Sequence, residues 1–289
     1  MSIANVSDTA RVVAFSRAVE SERSKPLFRD PFARQLAGDF GETLAREMGN
    51  TELITRGLAV RTAVVDELLL ARINQDEIGL VLNLGAGLDT RPWRLALPRS
   101  LKWIDADLPQ ILSYKTNRLR SQEPACEYLP ISADITSHAD RAALFSHIHA
   151  EQRALVLTEG LLVYLSSVEV TALALDLQTH SSIAWWLTDV SGPRALAMMN
   201  RLWGPLLENA EFKFGPADSE TFFREVGWRE STYRSSADEA RRLNRSAPLT
   251  WLSRILLKFS SPALREEFRR LAGVTLLARD PDFRLPSDK

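Results

Sequence analysis

The first quarter of the chain has a helical pattern of hydrophobic and polar positions. Apolar side chains recur with helical spacing at residues 9–18 and 30–36, and most regularly at residues 59–73. In the last of these segments Val60, Val64 and Leu68 fall on one stripe. Such a stripe predicts helices that bury one face, so we expect residues 1–77 to form a helical N-terminal cap.

After residue 78 the pattern becomes an alternation of short apolar runs and helical or turn-rich segments. The runs typical of buried strands lie at residues 80–84, 101–105, 127–132, 154–158 and 183–189, and further strands are indicated at 228–233 and 274–278. The helical segments between them include 109–120, 166–178 and 219–226, and 237–272 is largely helical in pattern. This alternation predicts an α/β fold with a mainly parallel, doubly wound, seven-stranded sheet. We expect one core over residues 78–289, with helical lid segments at about 193–218 and 237–272.

Composition narrows the classes of protein that fit. The chain has 289 residues, of which 45% are apolar and 25% charged, as in an ordinary globular protein. A net charge of −1 gives no overall field that would attract nucleic acid or an anionic membrane. A single cysteine, Cys126, excludes an intramolecular disulfide and a multi-cysteine zinc site, and we expect no metal. No export signal and no apolar run of ~18 residues is visible, so we expect a cytoplasmic protein.

A glycine-rich turn follows the first predicted strand. Gly85 and Gly87 flank Ala86, and glycine lets the backbone turn sharply and approach a ligand closely. A dinucleotide-binding loop has a third small residue three positions further on, where this chain has Thr90 after Asp89. The carboxylate of Asp89 matches a pyrophosphate poorly but suits the cationic groups of S-adenosylmethionine, which has no phosphate. A tight strand–helix turn without a ligand is the alternative.

Acidic residues follow the second and third predicted strands. Asp107 lies twenty residues after Gly87, where a carboxylate can accept hydrogen bonds from both hydroxyls of a ribose. Asp105 would lie on the same face of the strand and is an alternative ribose ligand. Asp134 can accept from an adenine amino group with Ile135 packed on the ring, or it can cap a helix that begins near Ser137.

Three segments together resemble the leucine carboxyl methyltransferase family of S-adenosylmethionine-dependent O-methyltransferases, which have a Rossmann-like class I core. They read VLNLGAGLDTRP at residues 81–92, IDADLP at 104–109 and LTEGLLVYL at 157–165. Residues 21–34 and 60–62 are similar to the N-terminal region of that family, so the resemblance covers most of residues 8–190.

The resemblance implies roles for matching residues. In this interpretation Asp107 holds the ribose, Arg61 meets the carboxylate of the cofactor and Glu159 lies near its amino group. Arginine forms paired hydrogen bonds to carboxylates, and glutamate pairs with an ammonium, so the chemistry agrees. The implied cofactor-binding set is Arg61, Gly85, Ala86, Gly87, Asp89, Asp107, Asp134, Ile135 and Glu159. The family also uses a basic residue near the N-terminus, for which Arg11 and Arg17 are candidates.

The resemblance further implies methylation of a carboxylate, which is ionised at neutral pH and needs no general base. The chain has no evident Ser-His-Asp set, and we leave the catalytic residue unassigned with Tyr164 as a candidate that flanks the methyl group or the acceptor. The alternatives are an NAD-dependent oxidoreductase, an RNA-modifying methyltransferase of the same fold and a non-catalytic scaffold. The oligomeric state is left open.

The helical additions are rich in aromatic and aliphatic residues that can form a lid. Such a lid favours a small apolar or aromatic acid as the methyl acceptor. The residues are Trp203, Phe212, Phe214, Phe222, Phe223, Trp251, Leu252, Ile255 and Leu256.

Overall fold

The computed structural model describes residues 6–49, 51–206, 211–246 and 261–284, and within them the chain forms one seven-stranded sheet. The strands are β1 (Leu80–Leu84), β2 (Lys102–Asp107), β3 (Glu127–Ser132), β4 (Ala154–Thr158), β5 (Ile183–Ser191), β6 (Trp228–Ser235) and β7 (Ala272–Arg279). Their order is β3-β2-β1-β4-β5-β7-β6. The first five strands are parallel, and β7 runs antiparallel to both β5 and β6. The predicted mainly parallel sheet is confirmed.

Strands β1 and β4 lie inside the sheet, and their burial explains the apolar runs at residues 80–84 and 154–158. Every residue of β1 and of β4 is buried, because helices cover both faces of a parallel sheet. Successive residues alternate between two hydrophobic clusters: Leu82 and Val156 pack in one, and Val81 and Leu155 in the other. Because β1 lies between β2 and β4 and all three are parallel, their carboxyl ends lie together at one edge of the sheet.

Helices precede the sheet and connect its strands. In chain order they are α1 (Val6–Ser21), α2 (Ala33–Glu47), α3 (Thr51–Gln75), α4 (Arg91–Arg94), α5 (Pro109–Leu119), α6 (His138–Phe145), α7 (Ser167–Gln178), α8 (Pro193–Trp203), α9 (Ser219–Glu225), α10 (Ser236–Arg242) and α11 (Pro262–Arg269). Short 3-10 turns occupy Leu162–Tyr164 and Gly204–Leu206. None of these helices is long and apolar enough to cross a membrane.

The N-terminal helices pack in two ways. Helix α3 places Val60, Val64 and Leu69 in the hydrophobic cluster on one face of the sheet. Helices α1 and α2 form a third cluster, in which Val12 and Leu36 pack with Leu88 from the turn after β1. The N-terminal helices are thus attached to the loop that carries the candidate chemistry.

The structure also differs from the predicted boundaries. Strand β2 continues to Asp107, so this acid is the last residue of the strand. Within the described parts of the predicted helical segment 237–272, α10 stops at Arg242, Asn244 takes the left-handed backbone conformation with φ 56°, and α11 occupies Pro262–Arg269. Residues 247–260 lie outside the described residues, and the predicted lid residues Trp251, Leu252, Ile255 and Leu256 are among them.

Candidate active site

The glycine loop turns at the carboxyl end of β1. Gly85 and Gly87 have φ of 62° and 49°, a region that residues with a side chain adopt only at a cost of about 1–2 kcal/mol. The Gly85 N–H donates to the Ala106 carbonyl at 2.8 Å, which joins the turn to the end of β2. A Cβ on Gly87 would lie 3.3 Å from the Cβ of Ala10, so helix α1 passes close over this loop.

Asp107 is bound to the same loop through two backbone groups. Its Oδ2 accepts from the Gly87 N–H at 2.6 Å, and its Oδ1 accepts from the Leu108 N–H at 2.7 Å. Burial raises the pKa of this carboxyl above its usual range, while the two N–H groups oppose that shift. A carboxylate has about four acceptor positions, so Asp107 retains two for the neighbouring hydroxyls of a ribose.

Asp105 occupies a different environment from Asp107, although both lie on β2. It is fully buried, and its Oδ1 accepts from the Asn83 amide at 2.9 Å and from the Trp103 indole N–H at 2.8 Å. Its Oδ2 lies 2.5 Å from the ammonium of Lys115, which is also fully buried. A ligand at the end of the sheet would have to displace these partners, so the structure favours Asp107 as the ribose ligand.

Arg91 is the centre of a buried ionic cluster that our sequence interpretation did not include. Its guanidinium lies 2.6 Å from Asp66, 2.7 Å from Asp89 and 2.7 Å from Glu159, and the residue is only 2% exposed. Arg94 makes two further contacts with Asp66, at 2.7 and 2.8 Å. The sequence gives little sign of this cluster, because Arg91 lies in a polar segment between Asp89-Thr90 and Arg94, and its partners Asp66 and Glu159 are distant in the chain.

Asp89 is a member of this cluster and has few free acceptor positions. Its Oδ1 accepts from the Arg91 N–H at 2.8 Å, and its Oδ2 accepts from the Arg91 guanidinium and, at 3.2 Å, from the Asn83 amide. Burial raises the pKa of Asp89, but the charges of Arg91 and Lys115 outweigh burial and hold the pKa well below the usual range. Asp89 therefore supplies a fixed negative charge beside the glycine loop.

Arg61 and Glu159, which are 98 residues apart in the sequence, contact each other in the structure. The Nε of Arg61 donates to Glu159 Oε1 at 3.0 Å, and its Nη1 donates to Asp189 Oδ2 at 3.1 Å. Burial raises the pKa of Glu159, but Arg91 and Arg61 outweigh it and hold that pKa below its usual value. These are the two hydrogen bonds of Arg61 within the described residues. A guanidinium has five N–H groups, so three remain for a carboxylate ligand.

Asp134 and Ile135 follow strand β3 in different surroundings. Asp134 is exposed, and its Oδ1 accepts from the N–H and the hydroxyl of Thr136 at 2.9 and 2.7 Å. The N-cap of helix α6 is Ser137, whose hydroxyl accepts from the Asp140 N–H, so the helix-cap alternative for Asp134 is wrong. Ile135 is buried in the core, which leaves little of its side chain to cover an adenine ring.

Arg17 connects helix α1 to the glycine-loop region. It donates from Nε to Asp30 at 2.8 Å and from Nη2 to the Leu88 carbonyl at 2.5 Å. Asp30 also accepts from the Thr90 hydroxyl at 2.7 Å. The other N-terminal candidate, Arg11, lies over the ring of Tyr114 at 4.4 Å from the centroid. Of these two arginines, Arg17 is the one bonded to the turn after β1.

Tyr164 contacts both the N-terminal cap and the predicted lid. Its hydroxyl hydrogen-bonds to Thr9 Oγ1 at 3.1 Å, and burial raises the pKa of that hydroxyl. Its ring lies against Phe212 at 5.3 Å between centroids, and Phe212 in turn contacts Trp203.

The other predicted lid aromatics occupy a different place. Phe214 and Phe223 are buried in the core on one face of the sheet, and Phe222 packs against that core. Phe223 stacks edge-to-face on Trp186 of β5. Of the described aromatic residues assigned to the lid, Trp203 and Phe212 are therefore the two that adjoin Tyr164. Across the described ranges no group of three or more His, Cys, Asp or Glu residues is placed to hold a metal ion.

The strand order, the glycine turn after β1 and the acid at the end of β2 define a Rossmann-like fold that binds a nucleoside cofactor. The sequence profile of the leucine carboxyl methyltransferase family matches residues 10–177, which is more than half of the chain. The chain belongs to the leucine carboxyl methyltransferase family.

Relatives and solved structures agree with this assignment. A protein of Parafrankia sp. (strain EAN1pec), whose name places it among the S-adenosyl-L-methionine-dependent methyltransferases, is 35% identical over 189 residues, 62% of this chain and 61% of that relative. A similarly named protein of Mycobacterium marinum (strain ATCC BAA-535 / M) is 29% identical over 84% of this chain and 88% of its own length. A DUF574 family protein from Streptomyces avermitilis MA-4680 has the same fold, with a TM-score of 0.60 at 12% identity, over 94% of this chain and 97% of that one.

S-adenosylmethionine is the cofactor of this group of proteins. The residues of the candidate site fit this cofactor. Asp107 has spare acceptors for a ribose, Arg61 has spare donors for a carboxylate, and Gly85 and Gly87 turn the backbone at positive φ without a side chain at either position.

Proposed function

We propose that this chain transfers the methyl group of S-adenosylmethionine to a carboxylate oxygen of a small apolar or aromatic acid. The observation that carries the choice of acceptor is the pairing of the acids with arginines: Glu159 contacts Arg61 and Arg91, and Asp89 contacts Arg91. Arg91 and Arg61 keep Glu159 ionised, Arg91 keeps Asp89 ionised, and burial keeps Tyr164 protonated. A general base works best when its pKa lies near the working pH. These three groups do not meet that condition, and a carboxylate acceptor needs no base.

The cofactor would be held at both of its ends. Asp107 accepts from the ribose hydroxyls, and the exposed Asp134 accepts from the adenine amino group. Arg61 donates to the carboxylate of the amino-acid end, and Glu159 lies next to it as the partner of the ammonium. When bound, S-adenosylmethionine supplies a methyl group on a sulfonium, which is already electrophilic.

The remaining work of the protein is to position the acceptor and to exclude water. Tyr164 and Trp203 are partly buried and pack on either side of the buried Phe212, so an aromatic cluster continues from the turn after β4 to helix α8. An acceptor with an apolar or aromatic body would bury surface there, and its carboxylate would lose water as it approaches the methyl group. Holding the two reactants together in a reactive orientation accounts for much of the rate in such a reaction.

A panel of carboxylic acids tests the proposed acceptor. The purified protein is incubated with methyl-labelled S-adenosylmethionine and with aromatic, aliphatic and polyanionic acids of similar size, and each acid is paired with its amide as a control. We expect label in base-labile methyl esters of the aromatic or aliphatic acids and none in the amides. Transfer only to polyanionic acids, or only to hydroxyl groups, would contradict the proposal.

The pH dependence of the rate distinguishes a carboxylate acceptor from a hydroxyl acceptor. A carboxylate with a pKa of about 4 is fully ionised above pH ~6, so we expect a rate that stays flat from pH ~6.5 to ~9 at saturating acceptor. A phenolic acceptor with a pKa of about 10 would instead give a rate that rises through this range. The measurement is the initial rate of methyl transfer at constant ionic strength.

The structure weakens the RNA-modifying alternative. Several basic residues in the described part of the C-terminal region are paired with acids: Arg242 with Glu239, Arg269 with Glu266 and Arg270 with Glu230. Arg245 pairs with Glu20 of α1. Because these positive charges have neighbouring counter-charges, they leave little excess charge for a phosphate backbone.

A further inference from the structure

Asp189 enters the site from a strand that carries none of the family-like segments. It lies on β5 opposite Val274 of β7, and its side chain is 17% exposed at the edge of the sheet where β1, β2 and β4 also end. The comparisons and the motifs assign no role to it, yet it contacts Arg61 of the proposed cofactor site and the backbone of Gly160, which follows Glu159.

Each oxygen of Asp189 has a different partner. Oδ2 accepts from Arg61 Nη1 at 3.1 Å, and Oδ1 accepts from the Gly160 N–H at 2.6 Å. Gly160 has φ of 68°, and a Cβ there would lie 3.2 Å from Nη2 of Arg61. The guanidinium therefore lies directly against the Gly160 backbone, and one carboxylate fixes both.

The Arg61 guanidinium is therefore held at two points. Glu159 accepts from Nε and Asp189 accepts from Nη1, so the plane and the direction of the Arg61 side chain are set before a ligand arrives. The Nη2 donors make no hydrogen bond within the described part of the chain. An arginine ordered in advance loses less rotamer entropy when it binds a ligand.

We propose that Asp189 is a positioning residue for the amino-acid end of the cofactor, which acts by holding Arg61 and the Gly160 backbone in place. It contributes to the affinity for that end and leaves the affinity for the nucleoside end unchanged. The proposal rests on the assignment of Arg61 to the cofactor carboxylate, and it does not depend on which acceptor is methylated.

The substitution Asp189→Asn separates this role from simple packing. Asparagine has the same shape but one acceptor oxygen and one donor NH₂. In either orientation of the amide, the NH₂ faces a donor, so either the Arg61 contact or the Gly160 contact is lost. A matched control is Asp280→Asn after β7, which removes an acid that lies 2.7 Å from Arg229 at the edge of the sheet opposite the site.

The experiment compares two ligands by calorimetry. S-adenosylhomocysteine has the amino-acid end, and 5′-methylthioadenosine has the same nucleoside without it. We expect D189N to weaken S-adenosylhomocysteine by about 3- to 10-fold, the cost of ordering one long side chain when the ligand binds, and to leave 5′-methylthioadenosine unchanged. D280N should change neither affinity. In a double variant with Arg61→Met, D189N should add little to the loss that R61M causes alone, because it acts through that residue.

Three results would overturn the proposal. They are an equal loss for both ligands in D189N, no loss for either ligand, or full additivity with R61M. If D189N does not fold, Asp189→Ser is measured in the same way, and loss of both ligands in that variant also overturns the proposal. If the wild-type chain binds S-adenosylhomocysteine but methylates none of the acids, the acceptor proposal fails and the role of Asp189 is still decided by these affinities.

Discussion

Replacement of Arg91 by methionine is expected to lower the free energy of unfolding by about 3–5 kcal/mol. Arg91 is 2% exposed and lies between Asp66, Asp89 and Glu159. Methionine fills much of the same space but leaves these carboxylates close together without their common cation. The cost is therefore an uncompensated buried charge, in addition to any loss of packing. Equilibrium unfolding in urea measures this change in the free energy of unfolding.

A surface arginine provides the control for this prediction. Arg241 pairs with Asp238 on the exposed side of α10, and Arg241→Met should change the free energy of unfolding by less than about 1 kcal/mol. A loss of less than about 1 kcal/mol in Arg91→Met would show that water or the remaining arginine, Arg94, compensates the carboxylates. That result would contradict our conclusion that Arg91 is the common counter-charge of the three buried carboxylates.

Replacement of Asp107 by alanine is expected to weaken S-adenosylhomocysteine by about 100-fold or more. The side chain binds the Gly87 and Leu108 N–H groups and offers its two remaining acceptor positions to the ribose, and each charged hydrogen bond contributes about 1.5–3 kcal/mol. Because the ribose is common to both ligands, 5′-methylthioadenosine should weaken to the same extent. This equal loss distinguishes Asp107 from Asp189.

The control for Asp107 lies at the opposite edge of the sheet. Glu127 is an exposed acid at the start of β3, and Glu127→Ala should leave both affinities unchanged. Circular dichroism establishes that Asp107→Ala is folded. A folded Asp107→Ala variant that binds either ligand within about three-fold of the wild type would remove Asp107 from the site.

The sequence predicts those features that depend on local pattern. Strands β1 and β4 are mostly apolar and are buried along their whole length, and the glycine turn and the presence of an acid at the end of β2 follow from spacing alone. The family resemblance assigns Arg61 and Glu159 to the same end of the cofactor, and the structure brings the two side chains together. These features are local or belong to a motif, so they can be predicted from the sequence without knowledge of the tertiary packing.

Other features depend on contacts between distant segments and could not be predicted in this way. Asp105 and Asp107 look equivalent in the sequence, and only the burial of Lys115 against Asp105 separates them. Asp189 reaches the site because β5 lies beside β4, which is a consequence of the strand order. The packing of α1 over the glycine loop, with Ala10 next to Gly87, likewise depends on the tertiary fold.

A crystal structure of the chain with S-adenosylhomocysteine tests the account most directly. It should show Asp107 within about 2.5–3.2 Å of the ribose hydroxyls and the free Nη donors of Arg61 within the same distance of the ligand carboxylate. A ribose bound away from Asp107, or a ligand carboxylate that Arg61 does not touch, would contradict it.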